Sequence, residues 1–316
     1  MNKNVVLIIG FNRPVHLRYC LDAVFKSKSI AAFEFIFILD GALNKNISCE
    51  HKECKKIFDL YLIKAKSLGL KARFIDRKIN LGLKKNIISA INKDANSYHF
   101  VVVLEDDIIV NRYFFDFILK YQHLLKEDSA YGCISGHLPF SFSKENSATE
   151  AISHFYMNCW GWAGSTISFK NVIFDPTGAY KIFKKLPEKK RFNFYNKGTS
   201  KWQLKANLSG KKNTWAVYWY LYLFSKNQKT IYPSRSLTLN IGNDGSGINS
   251  GKTNILTHAE IMKFINAEHF FLQSSYVKED LLFEKTYIDY IKTEKPNILH
   301  RIYNKFIYMC SMYLDN

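Results

Sequence analysis

Leu104-Glu105-Asp106-Asp107-Ile108-Ile109, read as L-E-D-D-I-I, continues the run His99–Leu104 and leads into Val110. A short β-branched run bounded by polar residues reads as a buried parallel strand. Its three acids then stand at the carboxyl end of the strand, where open α/β sheets take their ligands. Three adjoining carboxylates repel one another, and ionising them beside a dry strand is costly unless a cation shares the space. Hard oxygen donors suit Mg²⁺ or Mn²⁺, ions that complete their shell with water and substrate phosphates. A solvated acidic turn is the plain alternative, and the surrounding sequence weighs against it.

Upstream, Val5–Phe11 is a continuous apolar run and Phe33–Leu39 a second, ending on Asp40-Gly41. Leu70–Ile75 is a third, ending near Asp76-Arg77. Between them Leu17, Cys20-Leu21 and Val24-Phe25 recur at helical spacing behind Pro14, Glu50–Leu68 is a charged amphipathic helix, and Leu83–Asn92 is another helix opened by Asn80-Leu81-Gly82. Strands alternating with helices through short connections predict a parallel sheet covered on both faces. Asn12-Arg13, Asp40-Gly41, Asn80–Gly82 with Lys84-Lys85, and Glu105–Asp107 should then converge on one sheet edge. The chain has neither G-x-G-x-x-G nor G-x-x-x-x-G-K, so phosphates would have to be met by metal and basic side chains.

Downstream, Tyr113–Lys126 reads as a helix, Tyr131–Ser135 as a strand and Pro139–Glu150 as a mobile polar loop flanked by His137 and His154. Cys159-Trp160-Gly161-Trp162-Ala163 sets two flat aromatic faces around a glycine that permits close backbone approach, with core packing as the alternative. Trp215 and Trp219, spaced i, i+4 in the aromatic helix Asn213–Phe224, read as core instead. Leu237–Ile241 leads to the turn Gly242–Gly247, whose Asp244 could project a carboxylate, and Asp175 before Pro176 reads as a cap. The end, Pro296–Leu314, is a basic amphipathic helix that either packs on the domain or meets an anionic membrane.

The chain has 316 residues, 47% hydrophobic and 16% aromatic, enough for a large core. Its six cysteines are scattered without a C-x₂-C pair and read as reduced thiols. No signal sequence or membrane-spanning run is present, which predicts a cytoplasmic protein. The net charge of +18 suits phosphorylated small molecules or an anionic membrane face; nucleic acid fits poorly, because the acidic centre repels phosphate unless metal is bound.

The series F-N-R-P-V-H-L-R-Y-C-L, I-L-D-G, N-L-G-L and V-V-L-E-D-D-I-I-V resembles the GT-A-fold glycosyltransferases, including the inverting N-acetylglucosaminyltransferase of N-glycan processing. C-W-G-W-A, T-W-A-V-Y-W and L-N-I-G-N-D-G-S-G resemble bacterial surface-polysaccharide transferases. The resemblance covers residues 5 to about 250. It implies a GT-A-like (Rossmann-like) α/β fold with a mostly parallel central sheet and a helical C-terminal extension. Residues 1–135 would form the nucleotide-sugar-binding half, 136–255 the acceptor and catalytic half, and 256–316 the extension. Arg13, Asp40 and Asn80 would contact the nucleotide of a UDP-sugar, with Lys84 or Lys85 assisting at the phosphates. Asp107 would ligate Mn²⁺ or Mg²⁺, Asp106 and Glu105 would touch ribose and donor sugar, and Trp162 would border the sugar. The acceptor would be a glycan or lipid-linked oligosaccharide at the inner face of the membrane. The relative's general base is an aspartate in the stretch matching W-A-V-Y-W, which has no acid here; Asp244 is the nominee for inversion. A nucleotidyl- or phosphoryl-transfer enzyme and an inactive glycan- or nucleic-acid-binding module are the competing readings.

Overall fold

The computed structural model describes residues 4–43, 48–140, 151–245, 256–268, 277–279 and 283–294. In chain order the first elements are β1 (Asn4–Gly10), α1 (Pro14–Lys26), β2 (Glu34–Leu39), α2 (Cys49–Ser67), β3 (Ala72–Asp76), α3 (Gly82–Ser89), β4 (Phe100–Glu105) and β5 (Ile108–Val110). Next come α4 (Phe114–Tyr121), α5 (Leu124–Glu127), β6 (Tyr131–Ser135), β7 (Ala151–His154), β8 (Trp162–Ser165), α6 (Thr166–Lys170), α7 (Pro176–Lys185), α8 (Lys189–Phe192), α9 (Ser200–Leu208) and α10 (Ala216–Ser225). The last are β9 (Lys229–Pro233), β10 (Thr238–Asn240), α11 (His258–Asn266), β11 (Val277–Glu279) and α12 (Phe283–Glu294).

Among the described residues, nine strands form one sheet in the order β11-β7-β9-β6-β8-β4-β1-β2-β3. The β4-β1-β2-β3 quartet is all parallel. Beyond it β8 runs antiparallel to both β4 and β6. This is an α/β fold with a large, mostly parallel sheet flanked by helices.

β1 is apolar without alternation because it is covered on both sides. Val6 and Ile8 pack with Leu17, Leu21, Val24 and Phe58 of α1 and α2. Val5, Leu7 and Ile9 pack with Ile87 and Ile91 on the other face. Each such fully buried side chain contributes about 1.5–3 kcal/mol. Helix α1 buries Leu17, Cys20, Leu21 and Val24 at three- and four-residue spacing, with Pro14 in its first turn, where no amide partner is lost.

Register fixes the site. Leu39 pairs with both Gly10 and Asp76, and Ile9 pairs with Glu105. The carboxyl ends of four parallel strands therefore deliver residues 10–13, 40, 76–80 and 105–107 to one edge.

Several boundaries differ from expectation. The helix expected over Leu83–Asn92 leaves α geometry at Ala90 and passes through one wide turn, Ala90–Asp94. The helix expected over Tyr113–Lys126 is two, α4 and α5. Among the described residues the C-terminal region holds two helices and also β11, which extends the sheet beside β7. The polar loop at 141–150, the turn beyond Gly245 and the tail at 296–314 lie outside the described residues.

Candidate active site

The sheet edge opens into a cleft of about 330 Å³. Arg13, Asp40, Asn80, Glu105, Asp106 and Asp107 line it together with Phe11, Leu43, Leu83, Asn86, Trp160, Asn240 and Asn243. At its floor Arg13, the residue before α1, inserts its guanidinium between two acids. It pairs with Asp106, and its terminal nitrogen stands 3.0 Å from Asp107 Oδ2. Burial works against the Arg13 charge, but the two carboxylates outweigh it and raise its pKa. Burial, then the charges of Asp107 and Asp106, push the Glu105 carboxyl up to about 8. Burial likewise raises Asp106, with Arg13 opposing. One cation thus offsets three crowded acids only in part.

The other oxygen of Asp107, Oδ1, is buried and has no hydrogen-bond partner. An orphaned carboxylate oxygen in a dry site is costly, and a cation is the group that would satisfy it. No cluster of three His, Cys, Asp or Glu side chains able to hold a metal occurs among the described residues. A single carboxylate fits an ion whose remaining ligands are water and substrate phosphate.

Backbone pairing holds this acid in place. β10 runs antiparallel to β5, and Ile241 N–H donates to the Asp107 carbonyl at 2.9 Å. The chain then presses Gly242 so closely on Asp107 Oδ2 that a Cβ there would overlap it, with Arg13 also within 3.0 Å.

Asp40 lines the cleft and is also tied into its wall. Its Oδ1 accepts from Gly41 N–H at 3.0 Å and Leu81 N–H at 2.9 Å, and its Oδ2 accepts from Gly82 N–H at 2.9 Å. Asn80 Nδ2 donates to the Gly41 carbonyl at 2.6 Å. The carboxylate caps the start of α3 from a neighbouring strand, so the anion-binding end of that helix is already occupied. The Asp40 loop and the Asn80 loop form one rigid wall of the cleft.

No protein-family model matches the chain, and no curated protein matches it. Solved structures do resemble its trace, at low identity. A mannosyltransferase from Pyrobaculum calidifontis, solved with GDP-Man and Mn²⁺, is 9% identical over 71% of this chain and 69% of its own, with a TM-score of 0.42. TarS of S. aureus with UDP-GlcNAc is 13% identical over 54% and 47%, at 0.35, so the chain spans under half of that protein. A 4-diphosphocytidyl-2C-methyl-D-erythritol synthase from Anaerococcus prevotii is 11% identical over 83% and 95%, at 0.38.

Other expected site residues lie elsewhere. Trp162 is 0% exposed on β8, packed against Phe169, Trp215 and Trp219, and lines no part of the cleft. Strand alternation explains this: Trp162 pairs with Val103 on the covered face of the sheet. Trp160, two residues earlier, is the tryptophan that borders the cleft. Lys84 also points away, donating to the Phe174 carbonyl at 3.1 Å and lying 4.2 Å over the Tyr218 ring. Burial lowers its pKa. Asp244 is not among the cleft-lining residues; its Oδ2 faces His16 Nε2 at 3.1 Å. His137 packs tilted against Trp160 and His154 stacks on Phe283, at ring separations of 4.5 and 4.0 Å, and neither lines the cleft. Asp175 caps α7, accepting from Gly178 N–H at 2.6 Å.

Asn86 is the functional candidate that the sequence did not single out. It is buried on α3, its Oδ1 accepts from Arg77 Nε at 3.2 Å, and its Nδ2 has no partner. The signal was an asparagine on the buried stripe of a helix, where a polar side chain needs a reason. Among the described residues, no helix is long and apolar enough to cross a membrane.

Proposed function

We propose that the chain is a divalent-metal-dependent glycosyltransferase that moves a sugar from a nucleoside-diphosphate sugar to a hydroxyl of a glycan or lipid-linked acceptor. The observation that carries this reading is the orphaned Asp107 Oδ1 beside crowded acids in a cleft with no glycine-rich phosphate loop. Asp107 would hold Mn²⁺ or Mg²⁺ together with the diphosphate. When bound, the ion neutralises charge developing on the departing nucleoside diphosphate. Arg13 keeps Asp106 and Asp107 apart and in fixed rotamers. Asn86 Nδ2 offers a donor to the base or ribose, and Phe11, Leu43 and Leu83 give that end an apolar wall. Asp106 and Glu105 face the ribose and donor sugar.

The acceptor hydroxyl must lose a proton. Asp244 adjoins the cleft-lining Asn243 and is paired with His16, so we assign it as the base, with His16 positioning it. UDP-sugar donors, inversion, and a bacterial surface glycan built at the cytoplasmic membrane face follow the motif resemblance and the net charge of +18.

The test is hydrolysis and transfer from UDP-, GDP- and CMP-sugars with Mn²⁺, in wild type and Asp107→Ala. Turnover of a diphosphate sugar that requires both Mn²⁺ and Asp107 is expected. Binding of heparin or RNA with a steep salt slope and no turnover of any donor would replace this reading with a binding module.

A further inference from the structure

Behind Trp160 lies a second cavity, of about 180 Å³. Its walls are aromatic (Tyr156, Phe194, Tyr220, Tyr287) with Asn158, Thr199, Ser200 and Gln203 between them. No Lys, Arg, His, Asp or Glu lines it among the described residues. In a chain with 45 lysines and arginines, a pocket built for an anion would be expected to show one of them. Flat rings that cover C–H faces, combined with amides and hydroxyls that exchange hydrogen bonds, suit an uncharged polyol ring.

Two further observations mark the cavity as a built site. Phe194, Tyr195 and Asn196 run through the left-handed region with φ of 46°, 52° and 69°, without a glycine among them. Such a run is costly and persists only where its surroundings fix it. Here Asn193 does so, its Oδ1 accepting from Lys201 N–H at 2.9 Å and its carbonyl from Gly198 N–H at 3.1 Å. The effect is to hold Phe194 against the cavity. Tyr287 of α12 packs beside it on the same wall, its ring 4.4 Å from Phe194 and 4.7 Å from Tyr156.

Trp160 is common to both spaces. Its N–H donates to Asn158 Oδ1 at 2.9 Å, its carbonyl accepts from Thr238 Oγ1 at 2.7 Å, and His137 packs on its ring. We infer that the second cavity is a subsite for a neutral pyranose of the acceptor, meeting the donor cleft at Trp160 and completed by α12. This rests on the transferase reading for the word acceptor. In the step it serves, a hydroxyl oxygen of this sugar bonds to the donor's anomeric carbon. The bond from that carbon to the diphosphate oxygen breaks, its electron pair leaving with the nucleoside diphosphate, and the hydroxyl proton goes to the base.

The full chain, without donor, is titrated with methyl glycosides of glucose, galactose and N-acetylglucosamine and with methyl glucuronide, followed by saturation-transfer NMR. One or more neutral glycosides should bind, the glucuronide should not, and saturating UDP with Mn²⁺ should leave the signal in place. Gln203→Ala and Tyr287→Ala should each weaken binding by about tenfold, the loss of one good contact. The Mn²⁺–UDP thermal shift, read on the same samples, reports separately on the donor cleft and on folding. No neutral glycoside signal beside an intact Mn²⁺–UDP shift overturns the inference alone, as does displacement of the glycoside by UDP. A glycoside signal with no Mn²⁺–UDP shift keeps the sugar site and removes its role as acceptor.

Discussion

Replacing Asp107 by asparagine isolates the electrostatic core of the cleft. Asp106 and Asp107 both meet one guanidinium nitrogen, so their oxygens are at most about 5 Å apart, and at an effective dielectric near 20 they repel by at least roughly 3 kcal/mol. Arg13 offsets a similar amount, and Glu105 adds further repulsion. Asp107→Asn removes one charge at nearly constant shape, so the protein without ligand should melt at the wild-type temperature or slightly above it. Metal and nucleotide should behave in the opposite way. At about 100-fold saturation a ligand specific to the folded state stabilises it by about 2.7 kcal/mol, several degrees for a chain of this size. Wild type should show that shift with Mn²⁺ and UDP together, and little with either alone. Asp107→Asn should lose nearly all of it. Differential scanning calorimetry with and without both ligands decides the matter. A variant that is destabilised without ligand yet keeps the full Mn²⁺–UDP shift would refute the assignment of Asp107 as the metal ligand.

Gly242→Ala forces a methyl onto Asp107 Oδ2, and we expect a stability loss of about 1–3 kcal/mol by chemical denaturation with at least a tenfold loss of turnover. Asn86→Leu removes an unpaired buried donor but also the acceptor of Arg77 Nε, so the two effects should leave thermal stability within about 1–2 kcal/mol of wild type while its KM for donor rises about tenfold; an unchanged KM would take Asn86 out of the site. Trp162→Ala should cost about 3–5 kcal/mol because the ring is core, and Trp162→Phe should retain a normal donor KM. Hydrogen bonding to His154, with Arg191 beside it, holds the Glu284 carboxyl down at about 2, against the push of burial and an ordinary value of 4.5. The stabilisation is complete above about 4.5 and fades as pH falls toward 2, so Glu284→Gln should flatten the acid limb of the stability profile by about 1 kcal/mol after solvent screening, read by urea melts at pH 3 and 6.

The parallel quartet of strands was readable because β1 and β2 are buried on both faces, so Val5–Phe11 and Phe33–Leu39 stand out as unbroken apolar runs. The acids ending β4 then identified the functional edge without any tertiary information. β7, β8 and β11 were not readable: each is three or four residues long, and their pairing partners are remote in sequence. Trp162 shows the cost of missing β8, since only its place in a ladder separates a core ring from an exposed one. Asp40 shows another limit. An acid after a strand looks the same whether it awaits a ligand or already caps a helix 41 residues away.

The short ladder between β5 and β10 has a bearing on how such a chain can diversify. Its three residue pairs couple the Asp107 backbone to the segment carrying Asn240, Gly242 and Asn243. A slip of one residue within Thr238–Asn240 would turn Asn240 to the opposite face and withdraw Gly242 from the carboxylate. Insertions and deletions inside the ladder are therefore closed to such a chain.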